Sequence, residues 1–187
     1  MRLKVAAVFL CIVCFVAGCK NANEPLDRAL ALREKLLKGD GCSFRTTVTA
    51  DYGEKLYIFS MDCKTDQEGN LTFSVAEPAT IFGITGKIAS TGGALTFDDK
   101  VLTFQTMADG QVTPVTAPWL FINTLRSGYL KGCGATDSGL EISIDDTYAE
   151  DALHLKIILE GDVPVSAEIF WQNRRVLTLT VEDFAFL

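Results

Sequence analysis

From residue 42 onward, apolar and polar residues trade places at every second position in short runs, and turn residues separate the runs. Side chains of a β-strand point to alternate faces, so this pattern demands strands with one buried face. The interruptions fall at Asp51-Tyr52-Gly53, Glu68-Gly69-Asn70, Gly92-Gly93, Asp98-Asp99-Lys100 and Gly161-Asp162. Register follows by counting outward from them. A loop at 51–54 pairs Val48 with Tyr57, Thr46 with Phe59 and Phe44 with Met61. A loop at 172–174 pairs Ile169 with Leu177, Ala167 with Leu179 and Val165 with Val181, leaving Glu168 and Thr178 on the other face. A two-residue loop, Asp99-Lys100, sets Phe97 opposite Leu102 and Leu95 opposite Phe104. Each hairpin closes with its apolar residues on one side, which predicts an antiparallel sheet. In the last strand the apolar parity changes from Leu177, Leu179 and Val181 to Phe184 and Phe186, so a bulge is expected near Glu182-Asp183.

Two stretches carry helical signals instead. Asn23 can cap the first, Pro25 and Asp27 suit its first turn, and Gly39 can end it. Leu26, Ala29, Leu30, Leu36 and Leu37 recur near helical spacing, so this side is expected to pack. The second, 117–128, starts Ala117-Pro118-Trp119-Leu120-Phe121-Ile122 and has Arg126 as its single charge. A helix apolar on nearly every side is normally buried on several faces.

Ahead of both lies an address. Met1-Arg2-Leu3-Lys4 is basic, and the apolar run 5–17 would rise only about 20 Å as a helix, short of a ~30 Å hydrocarbon core. It therefore reads as the apolar region of a signal peptide. The run ends in Val16-Ala17-Gly18-Cys19, which is similar to the lipobox of bacterial lipoproteins. That resemblance implies diacylglycerol on the Cys19 sulfur and cleavage before it. Residues 1–18 are then a removable signal peptide, 19–23 the lipidated N-terminus and tether, and 24–187 a single domain. Lys20 to Asn23 reach roughly 14 Å when fully extended, which holds the domain close to the bilayer. The expected location is extracytoplasmic, on the cell membrane or within the cell envelope. Cys11 and Cys14 leave with the leader, so their C-x-x-C spacing has no redox or metal role.

Loss of Arg2 and Lys4 takes the formal charge from −7 to about −9. So acidic a chain is a poor match for nucleic acid, whose phosphates require clustered Lys and Arg. It is also repelled by anionic headgroups, so the acyl chains of Cys19 must hold it to a membrane.

The order of elements is a helix, a meander of hairpins, one apolar helix and a closing set of strands. It resembles the LolA/LolB lipoprotein-carrier superfamily and the mycobacterial LppX/LprG lipoproteins. The likeness spans roughly 24–187. Its best local pieces are Val163-Pro164 through Phe184-Ala185-Phe186, and Val101-Leu102-Thr103-Phe104 running into a helix with Pro and Trp. The resemblance implies a mainly β, α+β fold: a curved antiparallel sheet, an unclosed LolA-like half-barrel plugged by helices. It further implies an apolar cavity for lipid or acyl chains, with neither catalysis nor cofactor. Phe44, Tyr57, Phe59, Phe73, Phe82, Trp119 and Phe121 are the candidate lining residues, under a roof formed by the helix around 119–122. The alternative is a structural or protein-interaction lipoprotein whose half-barrel is filled by these same side chains.

The remaining chemistry-bearing residues are scattered. The first hairpin's register sets Cys42 opposite Cys63, which suits a cross-strand disulfide in an oxidising compartment. Two buried free thiols are the other possibility. Cys133, in Gly132-Cys133-Gly134, is left over: a buried free thiol is the commonest outcome, and competition for a partner or a bridge between chains are the alternatives. Zinc sites use close ligand pairs, which these three cysteines lack. His154 falls with Lys156 and Glu160 on a solvent-facing side, with no nucleophile motif beside it. The run Asp145-Asp146-Thr147-Tyr148-Ala149-Glu150-Asp151 lacks the calcium-loop spacing and its glycine, and reads as an acidic loop.

Overall fold

A computed structural model describes residues 24–105, 107–108 and 111–187. The signal peptide, Cys19, the tether and the Asn23 cap lie outside the described residues. Helix α1 is Glu24–Lys38 and helix α2 is Ala117–Ser127. Six strands follow α1: β1 (Cys42–Asp51), β2 (Leu56–Thr65), β3 (Leu71–Glu77), β4 (Thr85–Ala89), β5 (Gly92–Phe97) and β6 (Lys100–Phe104). A two-residue ladder joins β7 (Met107–Ala108) to β8 (Gln111–Val112). After α2 come β9 (Tyr129–Thr136), β10 (Gly139–Asp145), β11 (His154–Glu160), β12 (Val163–Trp171) and β13 (Arg174–Phe186).

Eleven strands form one antiparallel sheet in the order β6-β5-β4-β3-β2-β1-β13-β12-β11-β10-β9. It is two meanders joined along β1 and β13, the first and last strands, and it stays open because β6 and β9 have no partner on their outer sides. The expected mainly β fold, an unclosed antiparallel sheet with helices, is what forms.

One face of the sheet is apolar throughout. On β9–β13 it presents Leu140, Ile142, Ile144, Leu155, Ile157, Leu159, Ala167, Ile169, Leu177 and Leu179, all buried. Helix α2 packs against this half, touching β10 and β13, and buries Ala117, Trp119, Leu120, Phe121, Ile122 and Leu125. Helix α1 then covers α2 and β9 with Ala29, Leu32 and Leu36. Burying each such leucine contributes about 1.5–3 kcal/mol. The two helices also cap each other. Arg33 donates to the Leu125 and Gly128 carbonyls at 2.8 Å each, at the C-terminal end of α2. Arg126 donates to the Leu36 carbonyl near the end of α1 and to Gln67 at 2.8 Å. The Leu125, Gly128 and Leu36 carbonyls lie at the two helix ends, where a cation also meets the favourable end of the dipole, and Gln67 belongs to the β2–β3 loop.

The packing face of α1 differs from the one expected. Ala29 and Leu36 point inward with Leu32, whereas Leu26, Leu30 and Leu37 are 41, 45 and 48 % exposed. Leucines recur on two sides of this helix, and only one can face α2.

Registers can be checked pair by pair. Ile169 opposes Leu177, Ala167 opposes Leu179 and Glu168 opposes Thr178, as counted. The loop, however, is the two-residue Gln172-Asn173 with both residues at positive φ, and a register shift after Ile169 absorbs the difference. The bulge in β13 is present: Asp183 has φ 53°, and pairing with β1 slips between Ser43 and Arg45. Two hairpins are corrected by two residues. Asp98 and Asp99 form the β5–β6 turn, so Phe97 meets Lys100, Leu95 meets Leu102 and Gly93 meets Phe104. A tight hairpin needs both central residues in the left-handed region, which Asp tolerates better than Lys. In the β1–β2 loop, Tyr52 donates its amide to the Lys55 carbonyl at 3.0 Å, and the Asp51 carboxylate accepts from the Gly53 amide at 2.8 Å. Val48 therefore pairs with Phe59, Thr46 with Met61 and Phe44 with Cys63. The shift is even, so every side chain keeps its face.

The same correction removes the expected opposition of Cys42 and Cys63. Cys42 faces Thr65 instead, its sulfur 3.2 Å from the Thr65 hydroxyl, and both cysteines are free, buried thiols.

Candidate ligand-binding cavity

The helices cover the β9–β13 half of the apolar face, and the β2–β6 half is left partly empty. There an open cavity of about 670 Å³ is lined by Tyr52, Lys55, Tyr57, Phe59, Phe73, Val75, Ile81, Ile84 and Leu95. Val112, Thr113, Pro114 and Val115, the segment leading into α2, close its remaining side. This is the size and apolar character of a small-molecule site.

Strand pairing explains why the space is not filled. Phe73 lies opposite Gly86 and Phe104 opposite Gly93. A methyl group on Gly86 would stand 2.5 Å from the Phe73 ring, and one on Gly93 would stand 2.3 Å from the Phe104 ring. Each ring lies against the strand beside it because that strand has no side chain there, and above Phe73 the cavity stays open. On the opposite wall, the Tyr52 hydroxyl donates to the Val112 carbonyl at 2.6 Å, tying the β1–β2 loop to the segment before α2. Its ring stands edge-on to Tyr57, 6.3 Å between centroids. Burial raises the Tyr52 phenol above its ordinary value, with Tyr57 adding to the shift, so it stays a neutral donor.

Among the candidate residues, Tyr57, Phe59 and Phe73 line this cavity. Phe44, Trp119 and Phe121 do not. They belong to the packed half, where Phe44 meets Phe121 edge-on at 6.0 Å and stacks on Phe184 at 5.8 Å. Phe82 is 67 % exposed and lines a separate groove with Thr47, Ser60 and Glu77. The expected roof is also corrected: α2 is a plug in the core, and the cavity opens beside the segment that precedes it. Val75 and Leu95 alternate with polar neighbours as core-facing strand residues do, but that alternation is identical whether a core is filled or hollow. The usable signal was glycine at 86 and 93 within apolar strands, which marks a close approach.

Chemistry-bearing groups gather on the other face of the sheet. His154 stands opposite Asp145, its Nδ1 2.7 Å from the carboxylate, and its Nε2 is 3.3 Å from the Ser143 hydroxyl. The hydroxyl beside His154 escaped the sequence because it comes from the neighbouring strand. Strand β10 is paired on both sides, so the amides around Ser143 serve the ladder and supply no oxyanion-stabilising pair. Lys131 holds the second Asp145 oxygen at 3.2 Å. Asp146 accepts the Leu153 amide at 2.8 Å, so the acidic run is tied down as a loop. Among the described residues, no cluster of three metal-ligating side chains assembles.

No family model and no curated protein matches the chain. Solved structures resemble it at low identity. An uncharacterized conserved protein from Thermus thermophilus superposes with a TM-score of 0.46 and 14 % identity, over 90 % of this chain and 88 % of that one. A LolA superfamily protein from Nitrosomonas europaea gives 0.45 and 11 % over 85 % and 93 % of the two chains. Lipoprotein LppX of Mycobacterium tuberculosis gives 0.40 and 12 % over 86 % and 92 %. These likenesses lie in strand layout, and no residue role is transferred from them.

Proposed function

We propose that the chain is an extracytoplasmic lipoprotein, held to a membrane by lipid on Cys19, whose open cavity binds a lipid, an acyl group or another apolar ligand without chemical change. The observation that carries this reading is the division of one continuous apolar face. Helices fill one half, while Phe73 lies against Gly86 and the other half keeps an open cavity. A chain that needed only stability would gain by filling that space, since voids forfeit contact. Membrane attachment rests on the basic start, the short apolar run and Val16-Ala17-Gly18-Cys19. No helix among the described residues is long and apolar enough to cross a membrane. The exposed Leu26, Leu30 and Leu37 of α1, the helix closest in sequence to Cys19, suit contact with a bilayer surface.

The test is uptake of a fluorescent fatty acid by the chain after lipid extraction. Saturable uptake is expected in the wild type. Leu95→Trp should abolish it at near-native stability, because bulk directed into empty space costs little. Absence of saturable uptake in the wild type would remove the reading. A second reading, a protein partner added along the sheet edge, is favoured by β6, where Val101 and Leu102 are 67 and 65 % exposed on an unpaired strand. Val101→Lys with Leu102→Lys should abolish such an association.

A further inference from the structure

The cavity's polar groups are few, and they are not equally available. The Tyr52 hydroxyl hydrogen is donated to the Val112 carbonyl, and the Thr113 hydroxyl donates to Gln105 at 3.2 Å. Both donors belong to the fold. What remains on the lining is Lys55, the single charged residue there among the described residues, with Tyr57 near it in sequence at the start of β2. Among the described residues, Lys55 forms no ion pair, in a chain where acidic groups outnumber basic ones 24 to 17. Two carboxylates share its loop. Asp51 is turned onto the Gly53 amide at 2.8 Å, and Glu54 is exposed and does not line the cavity. A second cation borders the same rim. The Arg174 guanidinium lies 3.5 Å from where a methyl group on Gly53 would stand. It lines the neighbouring pocket, for which Tyr52 and Val112 form a shared wall.

From this arrangement we infer that the ligand is an anionic amphiphile, with its apolar chain among Phe59, Phe73, Val75 and Ile84 and its anionic head on Lys55 at the rim. The inference rests on the cavity reading given above and narrows it to a ligand class. A neutral apolar ligand would leave the ammonium without a counter-charge at the edge of a low-dielectric space. A cationic amphiphile would be repelled by it. The head can be a carboxylate or a phosphate, because an ammonium recognises either as a point charge with rotatable donors. A lysine at a solvent-open rim suits this role, since such a side chain can lay its stem on apolar surface with its head in water.

The experiment uses the full chain, stripped of co-purifying lipid, and displacement of a neutral fluorescent probe by four sixteen-carbon ligands. Their heads are a carboxylate, a phosphate, a hydroxyl and a trimethylammonium. The wild type should hold the better anion about ten-fold or more tighter than the alcohol, as a charge-assisted contact provides. The trimethylammonium ligand should be weakest. Lys55→Gln should bring the anion down to the alcohol's affinity and leave the alcohol unchanged, whereas Arg174→Gln should reduce the preference only in part. The ratio of carboxylate to phosphate affinity assigns the head to a free fatty acid or to a phospholipid. Equal binding of anion and alcohol by the wild type would overturn the inference while leaving the cavity reading intact. Full anion preference surviving Lys55→Gln would overturn it as well. Failure of all four ligands, the alcohol included, would overturn the cavity reading with it.

Discussion

A shift of two residues decides the chemistry of the cysteines. Counting from the loop placed Cys42 across from Cys63, and the geometry around Tyr52 and Lys55 moves Phe44 into that position. Alternation in the sequence fixes which face a residue takes, but an even slip is invisible to it, so the faces were legible and the pairing was not. Burial pushes the Cys42 thiol up to about 11, against a hydrogen bond from Thr65 and the nearby Arg126 charge. Burial raises Cys63 as well, with Asp62 and Cys42 adding to it. At pH 8, roughly one Cys42 in a thousand is then thiolate, the only nucleophilic form. In mature chain carrying Cys19→Ala, iodoacetamide at pH 8 should label the half-buried Cys133 and spare Cys42 and Cys63 until the protein is unfolded. Labelling of all three at equal rates, or a Cys42–Cys63 bond in peptide mapping, would contradict this. Asp145 supplies a second residue-scale expectation. Burial alone would raise its carboxyl, but the hydrogen bonds from His154 and Lys131 outweigh burial and leave it below the usual carboxylate range. A depressed folded value stabilises the protein above the unfolded value near ~3.9, and the contribution is lost as pH falls through the folded one. Asp145→Asn should therefore cost about 1 kcal/mol or less at pH 7. Melting curves of variant and wild type should converge below that range.

Elements were legible in proportion to how far local chemistry decides them. Both helices begin and end within a residue or two of their Pro and Gly signals, and the β13 bulge announced itself through a change of parity. The side on which α1 packs was not legible, because Leu26, Leu30 and Leu37 make as good a stripe as Ala29, Leu32 and Leu36. Only the reciprocal arginine caps with α2 select between them. The role of α2 was also open: an apolar helix can roof a void or be a plug. Substitution by larger side chains separates the two. Ala117 and Thr124 are fully buried, and among the described residues the Thr124 hydroxyl has no hydrogen-bond partner. Replacing either by Phe overfills a packed site and should cost about 1–3 kcal/mol by denaturant unfolding. Fatty-acid uptake, measured at temperatures where the variants are folded, should persist. A roof would give the reverse, with stability kept and uptake lost.

At the scale of the whole molecule, the unclosed sheet assigns separate work to its two halves. Strands β9–β13 and the two helices hold most of the largest fully buried side chains, with Met61, Leu71 and Ile88 adding to them from β2–β4, while β2–β6 bear the cavity. This asymmetry could not be read from the strands alone, since both meanders alternate alike. It arises because the connection from β6 to β9 drops α2 into one half and brings the Val112–Val115 stretch to the other. Among the described residues none before Tyr52 lines the cavity, which separates it in sequence from the anchor proposed at Cys19. Losing one should then leave the other intact. Cys19→Ala removes the thiol that the acyl group requires, and it touches no residue of the sheet or helices. With about 0.8 kcal/mol for each buried methylene, two acyl chains hold a protein stably, whereas an acidic domain has no electrostatic attraction to anionic lipid to replace them. The variant, expressed in bacteria, should move from the membrane to the soluble fraction and lose incorporation of labelled palmitate. Its melting temperature and its affinity for the fluorescent fatty acid should match those of wild-type protein stripped of bound lipid. Continued palmitate labelling would refute the anchor. A fall in ligand affinity without a fall in melting temperature would show that anchor and cavity are coupled after all.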